Sequence, residues 1–295
     1  MKSEQPEEGQ GPSPRTYVEG LVQLLDVQPT GTRHYRGIRK AGGVGRVYGG
    51  QVVAQALAAA IKTVDEARAV HSLHAYFLRG GSEDHEIDYR VEADFDGGSF
   101  SNRRVIAVQQ GEVILNLAAS FHKKEGGHFY QAAAPDVPRP DELEDIKSYI
   151  QRVPDKVKPW ARAYFMRPSA LEMRCIGEPP FAIHESREPQ IDFWFRAAAP
   201  LIQPQWMHRV IMAYASDLAL IATAARPHGP FDMQGASLDH SIWFHQDVSV
   251  DEWLLYSIES PWSGEARGLG IGRIYDEAGR LVATVAQEGL MRERR

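Results

Sequence analysis

The chain has one cysteine, Cys175, so no internal disulfide can form, and no CxxC pair or Cys/His cluster offers a structural zinc site. Basic charge is also in deficit. The 33 Lys and Arg stand against 39 Asp and Glu, a net charge of −6, which argues against a general affinity for nucleic acid. No apolar run approaches the ~18 residues of a membrane span, and the N-terminal stretch lacks an apolar signal core. The ending Arg292-Glu293-Arg294-Arg295 is not an SKL-type address. The expectation is a soluble cytoplasmic protein with no membrane insertion.

Several catalytic signatures are missing too. No Gly-x-Ser-x-Gly elbow presents a serine nucleophile. Six glycines crowd residues 36–50, yet neither the phosphate-loop nor the dinucleotide fingerprint is completed. Gly268-Leu269-Gly270-Ile271-Gly272 is followed by a strand pattern, not a helix. His71 and His74 are oddly spaced within a strand, as are His240 and His245, and each pair would face opposite ways, a poor metal geometry. No metal and no cofactor are expected, and these histidines read as core or surface residues.

What is present is strong periodicity in 295 residues, enough for two cores. Residues 1–16 hold little to bury and read as a disordered tail. An amphipathic helix is expected over 17–26. A second spans 51–63, where Val52, Ala56, Ala60 and Val64 form a broad apolar stripe with many alanines. Strands follow at 71–78, 87–95, 103–109 and 113–121; Ile87, Tyr89, Val91, Ala93 and Phe95 alternate cleanly with charged residues. Residues 125–164 are rich in proline and charge and read as a linker with a short helix near 142–151. Strands at 171–175 and 190–196, a helix at 206–225, and strands at 237–245, 253–260, 268–275 and 281–290 complete the chain.

Both halves run helix and then four strands, and their residues match in register. Tyr76-Phe77 matches Trp243-Phe244, Tyr89 matches Tyr256, and Glu92 matches Glu259. The chain is therefore an internal duplication, in which two long helices are each wrapped by a curved antiparallel sheet and the sheets join edge to edge. The copies differ in polar content: Gly49-Gly50-Gln51 stands against Ala215-Ser216-Asp217, and Ala118-Ala119-Ser120 against Ala286-Gln287-Glu288.

Asp217 sits on the apolar stripe Val210, Tyr214, Asp217, Ile221 of the expected 206–225 helix. A carboxylate there must find donors or become neutral. Gln287 shares strand alternation with Leu281, Ala283 and Val285. Taken singly, Asp217 fits a structural aspartate, Gln287 a satisfied core amide, and Ser237 a strand-end cap. Asp239, beside His240, is the competing carboxylate.

Longer motifs carry a resemblance. Gly45-Arg46-Val47-Tyr48-Gly49-Gly50-Gln51, Val70-His71-Ser72-Leu73-His74-Ala75-Tyr76-Phe77-Leu78-Arg79, Leu238-Asp239-His240-Ser241-Ile242-Trp243-Phe244-His245 and Ala286-Gln287-Glu288-Gly289 resemble the acyl-CoA thioesterase II family over residues 17–292. The resemblance implies an α+β double hotdog: an N-terminal hotdog over 17–124 and a C-terminal one over 165–295 that carries the catalytic residues. It implies hydrolysis of fatty acyl-CoA to free acid and CoA, with Asp217, Ser237 and Gln287 holding the attacking water. Gly49, Gly50, Arg103, Arg104 and Tyr214 become candidate substrate contacts, although Arg103 and Arg104, like Lys123 and Lys124, also read as solvated charges. A homo-oligomer is implied as well. A non-catalytic acyl-CoA binder or sensor and a hotdog hydratase or dehydratase are the alternatives.

Overall fold

The computed structural model describes residues 12–40, 42–43, 45–182, 185–229 and 233–294. Residues 1–11 of the expected tail lie outside the described residues. Helix α1 (Pro14–Leu25) starts within the rest of that tail, because Ser13 caps it through Thr16 N–H and Pro14 occupies a position that needs no donor. Val18, Leu21 and Leu25 form its buried face. Strands β1 (Gln28–Gly31) and β2 (His34–Gly37) make a hairpin that short, largely exposed segments did not announce. Helix α2 (Gly49–Ile61) follows and is buried continuously from Gly50 to Ala60, as its alanines foretell.

The antiparallel meander β3 (Arg68–Phe77), β4 (Ile87–Asp96), β5 (Phe100–Gln109) and β6 (Glu112–Lys123) wraps α2. The second half supplies β7 (Leu171–Ile176), β8 (Gln190–Ala197), β9 (Met233–Ser237), β10 (Asp239–Phe244), β11 (Leu254–Gly264), β12 (Arg267–Asp276) and β13 (Leu281–Glu293). All join one 13-stranded sheet in the order β1-β2-β4-β5-β6-β3-β10-β13-β12-β11-β8-β7, with β9 pairing β13. The order reads alike from either end to the β3–β10 seam. There His74 faces Ser241, a residue 167 positions later, while Tyr76–Asp239 and Ser72–Trp243 are exchanged by the same shift. A pseudo-twofold axis therefore crosses the seam, and the fold is a double hotdog.

The twofold also adjusts the alignment of the copies. Gly50, not Gln51, is the counterpart of Asp217. The helix expected over 206–225 is two helices, α5 (Gln205–Ser216) and α6 (Leu220–Ala225). Asp217 is not mid-helix; it caps α5, and Ala219 turns the corner at φ 70°. The apolar stripe runs through both pieces, so periodicity could not reveal the break. Its physical setting is tertiary: α6 lies close on the second half of the sheet, where a Cβ at Gly289 would stand 2.4 Å from Ile221 Cγ1 and one at Gly270 3.0 Å from Leu220 Cβ. The expected strand 237–245 is likewise divided at Leu238, with Ser237 ending β9 and pairing Gly289.

The segment between the halves is a strap across the second half. The Gln131 side chain bonds Gly279 O and Leu281 N–H, Tyr275 Oη donates to Ala133 O, and Trp194 Nε1 donates to Pro138 O. Helices α3 (Ile146–Arg152, capped by Asp145) and α4 (Pro159–Phe165) then build a satellite core of Ile146, Tyr149, Ile150, Val157, Ala161 and Phe181.

Candidate active site

The site forms where α2 begins and α5 ends. Gly50 N–H donates to Asp217 Oδ2 at 2.8 Å. This places a carboxylate at the positive end of a helix, where it satisfies an otherwise orphan donor. The approach requires glycine, since a Cβ at Gly50 would lie 2.4 Å from Tyr214 O and 2.6 Å from Tyr48 Cε1. Tyr48 braces the contact, donating to Tyr214 O at 3.1 Å and packing edge-on against the Tyr214 ring.

Two further side chains arrive from distant segments. Ser237 Oγ, at the end of β9, donates to Asp217 Oδ1 at 3.4 Å. Gln287, on β13 and 1% exposed, donates through Nε2 to Ser237 Oγ at 2.6 Å. Burial raises the Asp217 carboxyl above its ordinary value, and His240, Gln287, Gly50 N–H and Ser237 pull against that rise. The result is a carboxyl better suited to accept a proton than an exposed aspartate.

The chain of contacts extends to His240, which sequence alone places in the core or on the surface, and to Ser216 and Tyr256. His240 Nδ1 lies 2.8 Å from Gln287 Oε1, and its Nε2 lies 2.9 Å from Ser216 Oγ. His240 is fully buried, and that burial lowers its basicity. Tyr256, also fully buried, donates its hydroxyl to Ser216 O at 2.8 Å. A signal for His240 existed: it shares two-residue alternation with Ile242 and Phe244, the inward face of β10. Asp239 takes the other face. Its Oδ1 accepts Glu288 N–H at 2.7 Å, outside the Asp217 cluster.

The other candidates divide. Gly49 and Tyr214 stand at the site; a Cβ on Gly49 would come within 2.9 Å of Asp217 Oδ2. Arg103 does not. Its guanidinium bonds Thr63 Oγ1 and O beyond the far end of α2, about 20 Å away along a 13-residue helix, and it pairs with Asp96 at 2.8 Å. It is 3% exposed and acts as an internal brace. Arg104 is exposed and pairs with Asp94 at 3.2 Å. Lys123 lines an open cleft with Arg68, Asp96 and Arg103, and Lys124 meets Asp247 at 3.4 Å.

Known proteins share both the sequence and the shape. The family profile described as acyl-CoA thioesterase N-terminal domain matches residues 39–122, and that of the C-terminal domain matches 133–291. Acyl-coenzyme A thioesterase 8 of Homo sapiens is 37% identical, covering 97% of this chain and 95% of its own. Acyl-CoA thioesterase 2 of Haemophilus influenzae is 34% identical, with 93% and 98% covered. The crystal structure of an acyl-CoA thioesterase II from Mycobacterium marinum superposes with a TM-score of 0.76 at 35% identity, over 94% of this chain and 97% of that one.

Proposed function

The chain belongs to the acyl-CoA thioesterase family and is a thioester hydrolase, and we propose that it hydrolyses fatty acyl-CoA by direct attack of a water held by Asp217, Ser237 and Gln287. The observation that carries this reading is the convergence of a buried carboxylate, a hydroxyl and a carboxamide from three separate segments at the N-terminus of α2. A water bonded to the carboxylate is both oriented and made nucleophilic.

Water oxygen attacks the thioester carbonyl carbon while its proton passes to Asp217. The oxyanion develops near the first turn of α2, whose dipole favours negative charge. Collapse breaks the C–S bond, and the proton on Asp217 goes to the departing CoA sulfur. Free acid and CoA thiol result. The raised Asp217 carboxyl suits both the taking and the giving of that proton.

His240 weighs against the hydratase or dehydratase alternative, which needs a histidine free to move a substrate proton. Both of its ring nitrogens are engaged by protein groups. The test is thiol release from a panel of saturated acyl-CoAs by the wild type, Asp217→Ala and Gln287→Ala. Both variants are expected to lose most of the rate while still binding acyl-CoA. Full activity in Asp217→Ala would remove the assignment.

A further inference from the structure

We infer that His240 is a positioning residue for the hydrolysis: held as its Nδ1–H tautomer between Ser216 and Gln287, it fixes which way the Gln287 carboxamide faces and so aims the Ser237 hydroxyl at Asp217. This rests on the reading of Asp217, Ser237 and Gln287 given above.

With Asp217 ionised, the hydrogen-bond roles along the chain follow in sequence. An ionised Asp217 only accepts, so Ser237 Oγ–H must donate to it. Ser237 Oγ then accepts from Gln287 Nε2. That turns Gln287 Oε1 towards His240, whose Nδ1 must carry a proton. In a neutral ring Nε2 is then an acceptor, served by the Ser216 hydroxyl, whose proton turns from Ala213 O to the ring, both at 2.9 Å. The order Ser216 to His240 to Gln287 to Ser237 to Asp217 has every donor pointing one way.

The other tautomer reverses the chain. With the proton on Nε2, Ser216 accepts from the ring and donates to Ala213 O, a bond its 2.9 Å separation allows. Nδ1 would then accept from Gln287 Nε2, Oε1 would accept from Ser237, and the Ser237 hydroxyl would leave Asp217. The ring tautomer therefore selects between a site in which Asp217 receives its hydroxyl donor and one in which it does not.

The first copy supplies an independent observation. Under the twofold axis, Asp217 corresponds to Gly50 and Ser216 to Gly49. Val70 faces Phe121 where Ser237 faces Gly289, so Ser237 corresponds to Val70. Ile242 faces Leu73 and Ser241 faces His74 across the seam, so His240 corresponds to Leu73. Ala118 faces His74 where Ala286 faces Ser241, so Gln287 corresponds to Ala119. All five polar members are replaced there by glycine, valine, leucine or alanine. His240 and Ser216 are present in the copy that holds the carboxylate and absent from the copy that lacks it, as parts of one unit.

The test compares His240→Leu, the residue of the other copy, with His240→Asn, whose amide can place a donor where Nδ1 stood. The expected result is a fall in kcat of about tenfold or more for His240→Leu, the size of one lost directed hydrogen bond, with KM little changed and most of the rate restored in His240→Asn. In a Gln287→Ala background the His240→Leu loss should disappear, because the group it positions is gone. An equal loss in both backgrounds, or no rescue by asparagine, would overturn the proposal. Should the leucine variant not fold, ¹⁵N NMR of the wild-type ring decides: a proton on Nδ1 supports the chain, and one on Nε2 refutes it. Full activity in Gln287→Ala alone would instead undo the underlying water-site reading.

Discussion

Gly50 and Asp217 occupy equivalent places in the two copies and touch each other, the glycine N–H donating to the carboxylate at 2.8 Å. The contact lies at the pseudo-twofold axis, so one copy gives the acid and the other the donor that receives it.

Gly50→Ala is expected to break this arrangement. Its Cβ would meet Tyr214 O, a backbone atom that cannot rotate away. Overpacking of this kind costs about 1–3 kcal/mol. A lowered Tm together with a loss of thiol release checks the expectation; a variant with unchanged Tm and rate would contradict it.

Asp217→Asn should lower kcat by about 10²- to 10⁴-fold, the usual contribution of a positioned base. It should also raise stability at neutral pH. Folding holds the Asp217 carboxyl above its ordinary value, so the folded state favours the protonated form. The stabilisation from that preference is full below the unfolded value and is lost as pH rises through the folded one. Asparagine removes this loss. Paired melting curves should show the variant more stable at pH 8 and the gap closing towards pH 4. The same titration predicts that wild-type kcat/KM falls as acid protonates Asp217, from a pH above the ordinary aspartate range.

Ser237→Ala removes a hydroxyl that accepts from Gln287 and donates to Asp217. About a tenfold loss in kcat is expected, with Ser237→Thr, which keeps the hydroxyl, near the wild-type rate. Steady-state kinetics on one acyl-CoA separates the two.

Arg103→Met tests the opposite kind of residue. Losing the bonds to Thr63 and Asp96 should cost about 1–3 kcal/mol of stability, read as a lower Tm. KM for acyl-CoA, measured well below that Tm, should not change. A large rise in KM would return Arg103 to the substrate.

The duplication, the buried α2 and the meander strands were legible because each repeats a simple period: alternation in Ile87 to Phe95, and small residues every turn from Val52 to Ala60. The corner at Asp217 was not. Val210, Tyr214 and Ile221 keep helical spacing across it, while α6 turns at Ala219 to pack closely on Gly270 and Gly289. Sequence alternation puts Ser237 in one strand with Ser241, but the break at Leu238 assigns it to β9. The role of His240 is not legible in the sequence because its partners, Ser216 and Gln287, lie on other elements, and one strand's alternation cannot name them. The strap carries no repeat, and its contacts with Trp194 and Tyr275 join segments far apart in the sequence.

The shared axis has a consequence for any attempt to divide the molecule. A cut in the strap would leave Gly50 and the start of α2 on one fragment, and Asp217, Ser237, His240 and Gln287 on the other. Each fragment would also expose a raw edge, β3 or β10, where the seam had been. Neither fragment would hold a whole site, and activity regained on mixing them would count reassembled molecules.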